Sequence, residues 1–259
     1  MASTSSSLPP PVGGWDTRES LADMPVKHAI LLDNWFPETD KVTMRRGSTD
    51  HATGMTGAVE TLISFVPESG ARQLFAAANG AIYNVTSAGS VGSPVATGYG
   101  NNRWQFVNIA TSAGQFVRMF NGANTPLLFN GSSWSTTAIT GSGLTASNLI
   151  WGNLHQSRLW VGEKDSLSAY YLAVNNVSGA ATEFPLGGVA SKGGFIQAMG
   201  TWTRDSGAGA DDVAVFVTSE GEAIVYKGTD PSSVSTWSLV GVFQIGKPIG
   251  RRCLVKAGS

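Results

Sequence analysis

Charge is what this chain has least of. Only 14% of its 259 residues are Asp, Glu, Lys or Arg, against roughly 25% in ordinary soluble domains. The 17 basic and 18 acidic residues leave a formal net charge of −1, so the chain as a whole has no basic field to attract nucleic acid. The single cysteine, Cys253, excludes an internal disulfide framework and a multi-cysteine zinc site. His28, His51 and His155 are the only histidines. None forms an H-x-H or H-x-x-x-H pair, so they read as surface or turn residues and no metal or cofactor is implied. No apolar run approaches the ~18 residues that cross a bilayer. The start, MASTSSSLPPPVGGW, lacks the basic and apolar regions of a secretory leader. The expectation is a soluble chain made in a cytosol, with no membrane span.

Catalytic patterns are also missing. The chain has no Walker loop, no G-x-S-x-G elbow and no D-x-D-x-D-G calcium loop. Trp-Asp occurs once, at Trp15-Asp16, which does not support WD repeats. Two acidic pairs remain. Asp211-Asp212 follows SGAGA and reads as part of a flexible loop, while Glu220 and Glu222 bracket Gly221 and read as solvated turn acids. A propeller glycosidase would need two convergent carboxyls about 5–9.5 Å apart, and the sialidase box is represented only by the fragment Ser235-Thr236-Trp237. The expectation is a protein that is not an enzyme.

What is present points to strands. Thirty-two glycines, with many Ser, Thr and Asn, favour short strands joined by tight turns. LFAAANGAIYNVTSAG at 74–89, FVRMFNGANTPLLFNGSSW at 116–134, RLWVGEKDSLSAYYLAV at 158–174 and VAVFVTSEGEAIVYKGTDP at 213–231 share one plan. Each is a strand, a polar turn and a second strand bearing an aromatic. Those aromatics, Tyr83, Phe129, Tyr171 and Tyr226, are 46, 42 and 55 residues apart, close to the about 40–50 residues of a propeller blade. Further strands are expected at 104–109, 149–151, 195–199 and 237–240, and a weaker hairpin near Leu62–Val66. A β-sandwich is the competing arrangement, but the regular interval favours the propeller.

The predicted fold is therefore all-β, a propeller-like array of short antiparallel blades with an extended N-terminal arm. The array has at most five blades and reads as incomplete. Residues 251–256 look like the start of another strand, so the chain is either part of a longer array or closed by its first strands or a partner chain. The expected divisions are a flexible arm over 1–14, an opening segment with a short helix and first strands over 15–58, and the array over 59–259. The helix is predicted at Arg18–Met24, ended by Pro25. Of the eight tryptophans, Trp104, Trp134, Trp151, Trp160, Trp202 and Trp237 fall near strands and are expected to be buried between blades, though a lectin could stack sugars on such rings. The second functional expectation is thus a carbohydrate-binding propeller.

The opening carries one more pattern. Gly13-Gly14-Trp15, Met24-Pro25, Leu32-Asp33-Asn34-Trp35-Phe36-Pro37 and Met44-Arg45-Arg46-Gly47 follow a Pro-rich arm. This order resembles the N-terminus of the tail nozzle proteins of short-tailed bacteriophages, also called tail tubular protein B. Residues 226–252 resemble a phage structural group with the same opening. The resemblance implies a virion protein of the tail, made in the host cytoplasm. It would form a homohexameric ring below the portal and head–tail adaptor, continue the DNA exit channel with transient, non-specific DNA contact, and offer a platform for a tail fibre or receptor-binding protein. Members of that family are usually much longer. Trp15, Trp35, Phe36, Arg45 and Arg46 are the candidate structural and interface residues. Trp35 and Phe36 are expected to anchor the arm on the first sheet, and the arginines to pair with acids or a neighbouring subunit.

Overall fold

The computed structural model describes residues 7–205 and 210–255. The chain is all-β and divides into two compact units, Met1–Asp50 and His51–Ser259. The first unit contains β1 (Gly14–Trp15) paired with β2 (His28–Ala29), and the hairpin of β3 (Trp35–Pro37) and β4 (Val42–Met44). The helix expected at Arg18–Met24 is absent, replaced by turns. The Asp16 carboxylate accepts the N–H groups of Arg18 and Glu19, an Asx turn that competes with helix nucleation. Within this segment only Met24 N–H reaches back four residues, to Ser20 O.

The second unit starts with β5 (Ala52–Thr53), which bridges to β9 (Gly89–Ser90). Four larger sheets then follow one another along the chain. The first holds β6 (Val59–Phe65), β7 (Gln73–Ala78), β8 (Ala81–Asn84) and β10 (Ala96–Thr97); the second holds β11 (Gln105–Thr111), β12 (Gly114–Phe120), β13 (Leu127–Phe129) and β14 (Trp134–Ser135). The third runs β16 (Leu149–His155), β17 (Arg158–Glu163), β18 (Ser168–Leu172) and β19 (Gly179–Pro185), with β15 (Ile139–Thr140) added in parallel at its edge. The fourth is β20 (Ile196–Asp205), β21 (Ala210–Thr218), β22 (Glu222–Gly228) and β23 (Trp237–Gln244). These are small antiparallel sheets with a curled half-barrel among them, and no closed propeller is seen in the described residues.

All four expected hairpins are present, and each recurring aromatic lies in the second strand of its hairpin. Leu62 and its neighbours belong to β6, the first strand of the first sheet, and not to a separate hairpin. Arg251–Val255 form a turn and irregular chain instead of a strand.

Three apolar layers sit between the four sheets. Ile63, Phe75 and Ile82 of the first sheet meet Met119, Leu127 and Phe129 of the second. Phe120 and Ile109 meet Leu149, Leu159 and Leu172 of the third, and Trp160 and Tyr171 meet Phe216, Ile224 and Tyr226 of the fourth. Middle strands of the second and third sheets are consequently buried on both faces, which explains apolar runs such as 127–129 and 159–161. One guest is out of place. Arg118 is fully buried, and its guanidinium donates to Thr137 O while Nε and Nη1 have no partner. Desolvation pushes its pKa down to about 10.

The tight turns differ in quality. Asn79 and Gly80 both have positive φ between β7 and β8, the Asn-Gly chemistry of a two-residue hairpin. Between β16 and β17 the same positions hold Gln156 and Ser157, at φ 48° and 56°, where a side chain is strained. Replacing the pair by Asn-Gly should raise stability by about 1 kcal/mol or more. Urea titration checks this, and an unchanged midpoint would count against the strain.

Candidate functional site

The first strands of the last three sheets, β11, β16 and β20, lie beside one another and line a cleft of about 810 Å³. Gln105, Asn153, Thr201 and Trp202 are among the residues lining it. Most of this polar lining is already engaged. Asn153 Nδ2 donates to Met199 O at 2.7 Å and its Oδ1 accepts Leu154 N–H at 2.8 Å. Thr201 Oγ1 donates to Leu154 O at 2.7 Å.

The C-terminal segment closes on the same region. Arg252 donates to Glu60 O at 2.9 Å, Thr61 Oγ1 at 2.6 Å and Trp104 O at 3.2 Å. Arg251 donates to Asn121 O at 2.9 Å and to Arg103 O, and Gln105 Nε2 donates to Arg251 O. Leu254 then lies in the cleft against Gly200, where an added Cβ would overlap the leucine Cδ2. The two arginines thus bind a carbonyl and a hydroxyl of β6 and carbonyls of the chain flanking β11 and β12, although they follow the last sheet in the chain.

His155 looks at first like a catalytic base. It is buried, against the expectation of a surface or turn histidine, because it ends β16 under the edge of Trp237, 5.5 Å away. Its Nδ1 is 3.2 Å from Thr201 Oγ1, but that hydroxyl's proton is directed at Leu154 O, so the imidazole does not activate it. Burial holds the imidazole below its ordinary pKa. Asp212 is the only carboxylate among the cleft-lining described residues, and it accepts Thr203 Oγ1 at 2.7 Å. Asp211 and Asp212 lie in β21, not in a loop, since they continue the ladder opposite Arg204 and Thr203. Residues 206–209 of SGAGA lie outside the described residues.

Glu222 is a second correction. It is fully buried, since β22 begins at it and the chain before β20 folds over it. Ser191 Oγ donates to it, with Lys192 N–H at 3.1 Å and Gln244 Nε2 at 3.4 Å. These bonds, the serine's first, lower its pKa. A depressed folded-state pKa means stability that is present above the ordinary carboxylate value and lost as pH falls through the folded value. Glu222→Gln should therefore lower stability at neutral pH and flatten the decline below about pH 4. Denaturation midpoints across that range test it. Its neighbour Glu220 pairs with Lys247 at the surface.

No model of a protein family matches the chain, and no curated protein matches it. Among the described residues no three His, Cys, Asp or Glu side chains are grouped to hold a metal ion. No helix in them is long and apolar enough to cross a membrane.

The five residues expected at an interface fall in the first unit. Trp15 is exposed, with its Nε1 donating to Ile30 O at 3.0 Å. Trp35 and Phe36 lie in β3 and are 46% and 56% exposed. Arg45 follows β4 and donates from Nε to Asn34 Oδ1 at 3.0 Å, an amide of its own hairpin. Arg46 is exposed. The structure brings Trp35, Phe36 and Arg45 together on one hairpin. That unit has its own part-buried contact, His28 Nδ1 at 2.9 Å from Asp16 Oδ2, and the hydrogen bond from His28 leads the causes that hold Asp16 down to about 2.

Proposed function

We propose that this chain is a structural protein of a short-tailed phage tail, of the nozzle type. It would be a subunit of a hexameric ring below the portal and adaptor, passing DNA through its channel and carrying a fibre or receptor-binding protein. Four sheets packed face to face in series, each opening on a strand of similar position, would serve as blades of a propeller-like array. The observation that carries the reading is the order of Gly13-Gly14-Trp15, Asn34-Trp35-Phe36-Pro37 and Arg45-Arg46-Gly47, together with the exposure of those aromatics on a small separate unit. Exposed aromatics beside arginines have the composition of interface anchors. A near-neutral chain also suits a channel that must release DNA, because tight phosphate binding would hinder passage.

Electron microscopy of the purified protein, alone and mixed with portal–adaptor assemblies, tests this. A ring with a central channel is expected. A monodisperse monomer that never binds those assemblies would overturn it. Trp35→Ala should leave the thermal midpoint nearly unchanged, since the indole is already half in solvent, while weakening ring assembly at least tenfold; an interface hot spot contributes about 2 kcal/mol or more. Normal assembly of this variant would remove Trp35 from the contact.

One observation favours a second reading, carbohydrate binding. Trp202 is 59% exposed beside the cleft, whereas Trp104, Trp151, Trp160 and Trp237 are buried as expected. Trp202 departs from that expectation because it lies on the face of β20 turned away from the Phe216 layer. A glycan array with no hit, or a hit unaffected by Trp202→Ala, would dispose of this reading.

A further inference from the structure

Sheet edges expose unpaired N–H and C=O groups, and proteins usually protect them by shortness, charge, proline, a bulge or a covering segment. The outer edges of this chain divide sharply on that criterion. The first three sheets end in β10, β14 and β15, each only two residues long. Next to β15, the longer β19 carries Glu183 and Pro185. The fourth sheet ends differently. Its outermost strand, β23, has eight residues, WSLVGVFQ, with no charge and no proline. Among the described residues β23 pairs only with β22, so its other edge has no ladder partner. The one protection is a bulge at Val240, where the register slips between Leu239 and Gly241. Beyond it, Gly241–Gln244 run in regular register, and Ile245 N–H continues the ladder to Gly221 O. Phe243 and Ile245 on this run are 54% and 44% exposed.

We infer that the free edge of β23 is an interaction edge whose occupant is β23 of a second copy, paired antiparallel about a two-fold axis through Phe243. The argument for that occupant is complementarity. Ile245 turns its N–H toward β22, so by alternation Val242 and Gln244 turn theirs to the free edge. An axis through Phe243 sets Val242 of each copy opposite Gln244 of the other, the pairing in which those outward groups exchange hydrogen bonds. The same axis sets Phe243 against its own copy and Ile245 opposite Gly241. Gly241, Phe243 and Ile245 share one face of the strand, where the Phe243 ring covers Gly241, its Cζ 3.2 Å from where a Cβ would stand, so the incoming isoleucine would meet that ring. Residues 240–246 carry no charge, so no like charges meet along the seam. The contact is isologous and closes on itself, so it does not propagate into a fibre. It joins two four-stranded sheets into one continuous eight-stranded sheet. This inference is independent of the tail-protein reading, whose ring requires heterologous contacts.

The test uses the full chain and its Phe243→Lys and Phe243→Glu variants, with mass measured by sedimentation at low salt and folding checked by circular dichroism. Phe243 is more than half in solvent, so both variants should melt within a few degrees of the wild type. The wild-type assembly is expected to have twice the mass of either variant alone, because each variant sets two like charges face to face. Mixing the two variants one to one should restore the larger mass, since the axis then places an introduced ammonium opposite an introduced carboxylate. A merely structural role of Phe243 would not respond to mixing. Equal masses for wild type and variants would overturn the inference while leaving any ring contact elsewhere untouched. A reduced mass that mixing fails to restore would overturn the two-fold pairing.

Discussion

Trp160→Ala is expected to remove about 3–5 kcal/mol of stability, the range for truncating a buried tryptophan or phenylalanine. Domains of this kind hold only about 5–15 kcal/mol in total, so the variant should be partly unfolded on mild heating. The size of the loss follows from where Trp160 sits. It is fully buried in β17, with ring centroids of Tyr171 at 5.1 Å, Phe216 and Trp237 at 5.5 Å, and Phe184 at 5.7 Å. Tyr171 and Phe184 belong to its own sheet, while Phe216 and Trp237 belong to the next. One ring therefore joins the third and fourth sheets. Its indole N–H has no partner, so Trp160→Phe removes volume and also removes an unpaired donor. That variant should cost less than half as much as the alanine. A urea series on both variants decides the matter. A loss under about 1 kcal/mol for the alanine would mean that the layer refills the cavity.

The sheet layer around Trp160 was legible because its information is local. Period-two alternation, Asn79-Gly80 and the recurrent aromatics all act within a few residues, and each hairpin they predict is present. The failures have a common cause, since most depend on partners distant in sequence. Glu222 looks like a turn acid beside Gly221, but its acceptor sites are filled from Ser191 and Lys192, about thirty residues earlier. His155 looks like a loop histidine until Trp237 covers it. Arg251 and Arg252 resemble the opening of a strand, yet their donors end on carbonyls just after β12 and within β6. Arg45, expected to pair with an acid or a neighbouring subunit, donates within the chain to Asn34, across its own hairpin. Composition placed the aromatics near strands, but only packing separates buried Trp160 from exposed Trp202.

Gly162→Ala should be the most damaging conservative change in the third sheet, at about 2–3 kcal/mol, the upper part of the usual cost of overpacking. Gly162 does not have a left-handed φ, so its backbone would accept alanine. The conflict is spatial. Gly162 pairs across the ladder with Trp151, whose indole lies over it, and an added Cβ would fall inside the van der Waals envelope of Trp151 Cζ2 and Cε2. A rigid ring cannot yield as a flexible side chain would, and Trp151 is held on the same edge that the Cβ would strike, where Nε1 donates to Ile196 O at 3.1 Å. Displacing the ring therefore breaks a hydrogen bond between the third and fourth sheets and disturbs the cleft wall that Trp151 helps to form. A double-mutant cycle isolates the cause. In a Trp151→Leu background the ring is gone, and Gly162→Ala should cost close to nothing there, giving an interaction energy of about 2 kcal/mol. If the two changes instead add, Gly162 is required for some property of β17 other than room for the indole.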